Sequence, residues 1–234
     1  MKTLVVMPTY NEAKSLASTV EGLLKEIAGV DVLVVDDNSQ DGTAAIADTL
    51  AINHSRVSVL HRPAKQGLGP AYIDGFRYAF ANGYEVVVEI DADGSHQASD
   101  LQAILLATTD ADLVIGSRWI PCGSVQNWPI TRVLLSKFGN LYARLMLGTH
   151  IFDMTSGFRA YQASFLQKLI VSPVSSQGYS FQVELAYRAT KTGVVKEVPI
   201  TFVERTEGKS KMTLGIVFEA LVKIQLWGIR RLFG

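Results

Sequence analysis

The sequence predicts an α/β fold: a single domain with a mainly parallel central sheet, ending in an amphipathic helix. Three observations predict it. Short β-branched runs alternate with longer amphipathic ones through the first half, and polar or acidic residues gather where the short runs end. The 234 residues, 48% of them hydrophobic, are also enough to bury one sizeable core.

The first short run is 4–7, closed by Pro8, and the amphipathic stretch 15–27 follows it. The order repeats as 32–35 and 43–52, 57–60 and 69–82, 86–90 and 100–107, then 113–115. Short apolar runs bounded by turn residues read as buried strands, and longer runs with apolar residues three and four apart read as helices. Strands separated by helices imply parallel pairing with both faces covered, and such sheets hold ligands beyond the carboxyl ends of their strands. After Ser117 the rhythm breaks: Pro121, Gly123 and Pro129 mark a loop, and a helix follows over 131–147. No repeat, low-complexity tract or linker defines a second globular unit. The chain divides into a domain over 1–212 and a helical tail over 213–234.

With 22 basic and 22 acidic residues the formal charge is zero, so nothing predicts a nucleic-acid partner. Cys122 is the one cysteine, which excludes an internal disulfide, favours a reducing compartment and reads as a partly buried thiol. The apolar N-terminal stretch stops at Pro8, too short for a signal peptide, and no apolar run reaches the roughly 18 residues of a membrane span.

Residues after the strands carry the chemistry. Pro8, Tyr10, Asn11 and Glu12 follow the first, and Asp36, Asp37, Asp41 and Thr43 follow the second. Carboxylates at neighbouring strand ends can accept hydrogen bonds from a base and ribose, and Tyr10 can stack on the base. Glu12 and Asp37 read as ligand contacts, Asp41 and Thr43 as helix-start residues. Asp91 and Asp93 flank Ala92 directly after the run 86–90. If the chain stays extended there, both carboxylates point the same way and suit one Mg²⁺ or Mn²⁺ ion, which takes carboxylate and phosphate oxygens. His96 is expected to support that site through a hydrogen bond. Basic residues fall beside glycines and serines: Arg62 and Lys65 before Gly67, Arg118 after Ser117, Arg132 near Ser136, and Arg205, Lys209 and Lys211 around Gly208. Arginine grips phosphate oxygens in a fork and lysine adds a mobile charge.

With these pieces the sequence resembles the polyprenol (dolichol) monophosphate mannose synthases, a branch of the inverting glycosyltransferase family 2 with the GT-A, Rossmann-like fold. The matching segments 8–12, 35–43, 67–69, 91–93 and 116–118 are shared with many related transferases. Trp128 with Arg132, Ser136 and Asn140, and segments 153–159, 178–184 and 197–211, are specific to the polyprenyl-phosphate branch. The resemblance implies transfer of mannose from GDP-mannose to a polyprenyl phosphate with inversion, with Mg²⁺ or Mn²⁺ as cofactor. It implies that Pro8, Tyr10, Glu12, Val35 and Asp37 hold the nucleoside. Asp91, Ala92, Asp93, Arg118, Arg205 and Lys211 surround metal, diphosphate and sugar, with Asp91 and Asp93 as metal ligands. Arg118, Arg132 and Ser136 take the acceptor phosphate, and Asp93, Arg118 and Arg132 form the catalytic group. The chain departs from the family pattern in two places: Gly94 and Ser95 stand where many relatives have Leu-Gln, and Cys122-Gly123 where they often have Gly-Gly.

A phosphate monoester, with its second pKa near about 6, is largely ionised at neutral pH, so the acceptor's obstacle is charge rather than protonation. Arg118 and Arg132 are expected to bring it to the anomeric carbon against the donor diphosphate's repulsion. In the final helix Glu219, Lys223 and Arg230 share an arc of about 40°, leaving most of the circumference apolar. With Trp227, Arg230 and Arg231 this suits an anionic membrane surface; the competing reading is a helix packed on the domain. The expected setting is peripheral, on the cytoplasmic face of a membrane, with an anchoring partner subunit or chain extension as some relatives have. Competing functions are transfer from UDP-glucose to the same lipid, transfer to a soluble acceptor, and a receiver-like signalling module. The last rests on Asp36-Asp37, but such a module has roughly half this length and no use for Asp91 and Asp93.

Overall fold

The first strand sets the architecture of the computed structural model, which describes residues 1–174, 179–204 and 214–233. β1 (Thr3–Thr9) turns Leu4 and Val6 into one apolar layer and Val5 and Met7 into another, and all four are buried. A strand buried on both faces needs a continuous apolar run, which is what residues 4–7 supply. α1 (Leu16–Glu26), β2 (Val30–Asp36), α2 (Thr43–Asn53), β3 (Val57–His61), α3 (Leu68–Ala81), β4 (Val86–Glu89), α4 (Ala98–Ala107) and β5 (Leu113–Ser117) follow in the expected alternation. β3, β2, β1 and β4 are neighbours in that order and all parallel, so their carboxyl ends share one edge.

α3 lies close over β1. A Cβ on Gly75 would stand 2.3 Å from Val6 Cγ1, so only glycine permits this approach of helix to sheet.

The second half departs from the simple alternation. After β6 (Ser124–Gln126) and α5 (Ile130–Leu147), the chain returns through a loop as β7 (Arg159–Gln162). β7 inserts antiparallel between β4 and β5. Because it runs opposite to its neighbours, the loop before it, residues 148–158, lies at the ligand-binding edge of the sheet. α6 (Ala163–Leu169) and α7 (Tyr179–Thr192) cover one face. β8 (Val195–Pro199) pairs with β5, and β9 (Thr201–Val203) pairs with β6.

α8 (Leu214–Phe233) packs against α5 and α7. Ile224 is buried, Trp227 stacks on Tyr187 of α7, and Gly228 meets Met146 of α5. Leu221, Val222, Leu226 and Ile229 stay exposed.

Candidate functional site

Two loops at the ends of β1 and β2 are stitched together by their own polar side chains. The amides of Asn11, Glu12 and Ala13 donate to Ser39 Oγ, Thr43 Oγ1 and Asp41 Oδ2, and the Gln40 amide returns a bond to Asn11 Oδ1. Asp41 and Thr43 therefore serve the loop, as their helix-start reading anticipated. Tyr10 is half-buried beneath the Lys65 ammonium, which lies 3.7 Å from the ring centre. Pro8 and Glu12 are half-buried at the same edge.

Two residues expected at the ligand are buried in this structure. Val35 is fully buried in the core, so only its main chain faces the crevice edge. Asp37 is 4% exposed, and its carboxylate pairs with Arg62 and accepts the amides of Gln66 and Gly67. Three donors converge on it because the loop 62–67 has to be folded back to begin α3. Asp37 thereby holds Arg62 and the loop that leads into α3.

The Asp91–Asp93 segment is not extended. β4 ends at Glu89 and the chain turns, with Gly94 at φ 76° and the Ser95 amide donating to Asp93 Oδ1 at 3.0 Å. Asp91 and Asp93 remain half-buried at the surface of this turn, and Ala92 is buried. His96 stands behind it: its Nδ1 accepts the Asp91 amide at 3.2 Å, which fixes the neutral tautomer with the proton on Nε2. Burial, reinforced by the Arg118 charge, lowers the imidazole pKa to about 4. Among the described residues no three His, Cys, Asp or Glu side chains converge. Two half-exposed carboxylates fit a hard cation whose remaining ligands are phosphate oxygens, rather than a cage made of protein alone.

The His96 ring packs against Phe158 and Phe202, and Phe202 is shared with the third part of the site. Arg118 sits among the rings of Trp119, Trp128 and Phe202, each centroid 5.5 Å from its guanidinium carbon. Its Nε and Nη2 donate to the two oxygens of the fully buried Asp153, both at 2.7 Å, and Nη2 also reaches Thr155 Oγ1 at 2.9 Å. Burial would push the Asp153 carboxyl up, but Arg118 outweighs it and holds the group below the usual carboxylate range. Asn140 braces the same loop by donating to Thr155 Oγ1 and accepting the Met154 amide. Glu197 accepts the amides of Phe152 and Asp153.

Arg132 lies one turn before Ser136 on α5, pairs with Glu204 and stacks on Trp128 at 3.9 Å. Trp119 and Trp128 keep buried indole N–H groups with no hydrogen-bond partner among the described residues. Arg205, Lys209 and Lys211 lie outside the described residues. Cys122 corrects its reading: the thiol is exposed, because the turn 121–123 puts Cys122 at φ 71° and its side chain outside the loop.

Sequence reasoning placed Asp153 and Glu197 in matching segments but gave them no role, and these two carboxylates build the Arg118 side of the site. Neither follows an apolar strand in the direction of the chain. The signal that was available is chemical: a buried arginine requires a partner.

The model of the glycosyl transferase family 2 matches residues 4–170. The chain is 50% identical over 230 residues to undecaprenyl-phosphate mannosyltransferase of Micrococcus luteus, covering 98% of this chain and 95% of that protein. It is 49% identical over 232 residues to polyprenol monophosphomannose synthase of Mycolicibacterium smegmatis, covering 98% and 88%. Among solved structures it resembles glucosyl-3-phosphoglycerate synthase of Mycobacterium tuberculosis in complex with Mn²⁺ and UDP, with TM-score 0.69, 19% identity and coverage of 97% and 79%. A mannosyltransferase of Pyrobaculum calidifontis with GDP-mannose and Mn²⁺ gives TM-score 0.61 at 20% identity, covering 99% and 64%. These neighbours share the GT-A fold seen here. A parallel sheet that carries acidic turns at its carboxyl edge, and a family model that spans most of the chain, agree: the protein belongs to glycosyl transferase family 2.

Proposed function

We propose that this enzyme transfers mannose from GDP-mannose to a polyprenyl phosphate with inversion, giving polyprenyl-phosphate mannose at the cytoplasmic face of a membrane. The observation that carries the reading is identity of about half over nearly the full length with two mannosyltransferases named for polyprenyl-type phosphates. The geometry is in keeping with it: His96, which backs the Asp91–Asp93 turn, and Arg118 pack on the same ring, Phe202.

In this reading residues 1–212 form the catalytic domain. Tyr10, Glu12 and the loop held by Asp37 receive the nucleoside, and Arg205 and Lys211 join the diphosphate. Asp91 and Asp93 would hold Mg²⁺ or Mn²⁺ together with donor phosphates, which neutralises charge on the departing nucleotide. Arg118, Arg132 and Ser136 receive the acceptor phosphate. That group is already ionised near neutral pH, so the protein supplies position and charge compensation rather than a general base. Asp153 fixes the plane of Arg118, and Arg132 exchanges its contact with Glu204 for the phosphate.

The lipid acceptor calls for a membrane-facing surface. Among the described residues no helix is long and apolar enough to cross a membrane. α5 instead exposes Ile130, Leu134, Phe138, Leu141 and Leu145, all more than two-fifths accessible, within an arc of about 80°. The same helix carries Arg132, Lys137 and Arg144 and no acidic residue. Together with the exposed side of α8 this makes an apolar, cationic face suited to an anionic bilayer surface. An anchoring partner subunit would reinforce this contact.

The test is transfer of radiolabelled mannose from GDP-mannose to a polyprenyl phosphate in detergent, with Mg²⁺, Mn²⁺ or EDTA, and with UDP-glucose as competing donor. Metal-dependent formation of an acid-labile mannolipid is the expected result. Glucolipid alone, or product only with soluble acceptors, overturns the assignment.

A further inference from the structure

Arg159 has no part in the site as described, yet it is a large side chain with 0% exposure set beneath that site. It stands on β7 directly across from Glu89, the last residue of β4, which is also fully buried. Its guanidinium is used mainly on main-chain carbonyls: Nε donates to Ser156 O, Nη2 to Met154 O and Nη1 to Gln182 O, all at 2.8 Å, and Nη1 also reaches Tyr161 Oη at 3.5 Å. One planar group therefore ties the loop before β7 to the helix α7, and its charge acts on Glu89 across the strand pair, at the end of the strand that leads into Asp91.

The loop it clamps has a function at both ends. At one end Asp153 grips Arg118. At the other Gly157 adjoins the Asp91–Asp93 turn: a Cβ there would stand in ordinary van der Waals contact, 3.5 Å from Asp91 Oδ2. A buried charge is weak evidence for stability, since apolar residues of equal volume often serve as well or better. What a guanidinium adds is geometry, because its N–H groups lie in a fixed plane and reach several acceptors at once.

We propose that Arg159, which lies across from Glu89, is a positioning residue for sugar transfer: it sets the loop 153–157 so that Arg118 and Asp91 are held at a fixed separation across the reacting centre. The inference rests on the reading of Arg118 and Asp91 as the two sides of the transfer site. Arg159 touches neither substrate in this scheme and acts through Asp153 and the loop.

Arg159→Lys keeps the charge and removes the fork. The expected result on the full-length protein is a fall in kcat of about tenfold or more, because displacements of about 1 Å cost that much or more. GDP binding stays within about twofold, since the nucleoside loops lie across the sheet. Glu89→Gln, which keeps the shape, lowers kcat to a smaller degree with the same split, and serves if Arg159→Lys does not fold. A second readout is independent of turnover. In a Trp227→Phe background, emission comes only from Trp119 and Trp128 beside Arg118, and Arg159→Lys is expected to red-shift it and increase acrylamide quenching. A wild-type kcat in both variants overturns the proposal. So does a kcat loss matched by an equal loss of GDP-binding sites, or an unchanged emission. If wild-type protein transfers no mannose at all, the transferase reading fails, and the emission measurement alone decides the positioning role.

Discussion

Arg118 and Asp153 face each other through two parallel N–H···O bonds of 2.7 Å, and the Arg118 amide closes on the same carboxylate at 3.0 Å. Both side chains are withdrawn from water, so removing one charge strands the other. Asp153→Asn is expected to destabilise the protein by about 3–5 kcal/mol at neutral pH, the usual cost of breaking a buried pair from one side. The pH dependence has a definite sign. Asp153 titrates below its ordinary range when folded, so its contribution is present above the unfolded pKa of about 4 and fades as pH falls towards the folded value. Urea midpoints for wild type and Asp153→Asn should therefore converge in acid, and a gap that stays constant down to the acid limit would exclude this account.

Arg132 and Glu204 form the exposed counterpart of that pair, with about a quarter of each side chain open to solvent. If the acceptor phosphate displaces Glu204 from Arg132, the two residues affect acceptor binding in opposite directions. Arg132→Ala should raise the acceptor KM by about tenfold or more, in line with loss of a charge-assisted fork. Glu204→Gln should lower it several-fold, and donor KM should hardly move in either variant. Steady-state kinetics with varied polyprenyl phosphate checks both, and an unchanged acceptor KM in Arg132→Ala removes Arg132 from the acceptor site.

Packing of α3 on the sheet gives a test of the fold itself. Gly75→Ala forces a methyl to within 2.3 Å of Val6 Cγ1, inside a β-branched core that has no room to move. A loss of about 1–3 kcal/mol is expected from such overpacking. Gly22→Ala on α1 meets nothing within 4 Å and should instead gain about 0.5–1 kcal/mol from helix propensity. Thermal unfolding of the two variants should move in opposite directions.

The legible part of this protein was the part whose chemistry repeats along the chain. β1 to β5 each show as a short apolar run, their helices as longer stretches between those runs, and the acidic turns sit where an apolar run stops. β7 was not legible: its segment, Arg159 to Gln162, holds two long polar side chains, and its direction follows from where the chain re-enters the sheet. Asp37 was legible as a strand-end carboxylate, but its partners Arg62, Gln66 and Gly67 come from the next crossover loop, so its turning inward was not. Arg118 was named for its charge. The Asp153 that fixes it, 35 residues later, is known only from the fold.

Phe138 and Leu141 lie on the exposed stripe of α5, close to Lys137 and Arg144. If this face rests on the bilayer, each apolar side chain transferred from water contributes about 1.5–3 kcal/mol, and each nearby cation about 1 kcal/mol at an anionic surface. Phe138→Glu with Leu141→Glu should therefore lower binding to vesicles containing anionic phospholipid by at least about tenfold. Stability should hardly change, because neither side chain is in the core. Lys137→Gln with Arg144→Gln should weaken binding less and flatten its salt dependence, since screening acts on the charges and not on apolar contact. Mannose transfer to a short polyprenyl phosphate in detergent should survive the Phe138 and Leu141 changes, while transfer to lipid presented in vesicles falls with binding. Equal loss in detergent and vesicles would instead place these residues in the acceptor site, and unchanged vesicle binding would leave α8 as the membrane contact.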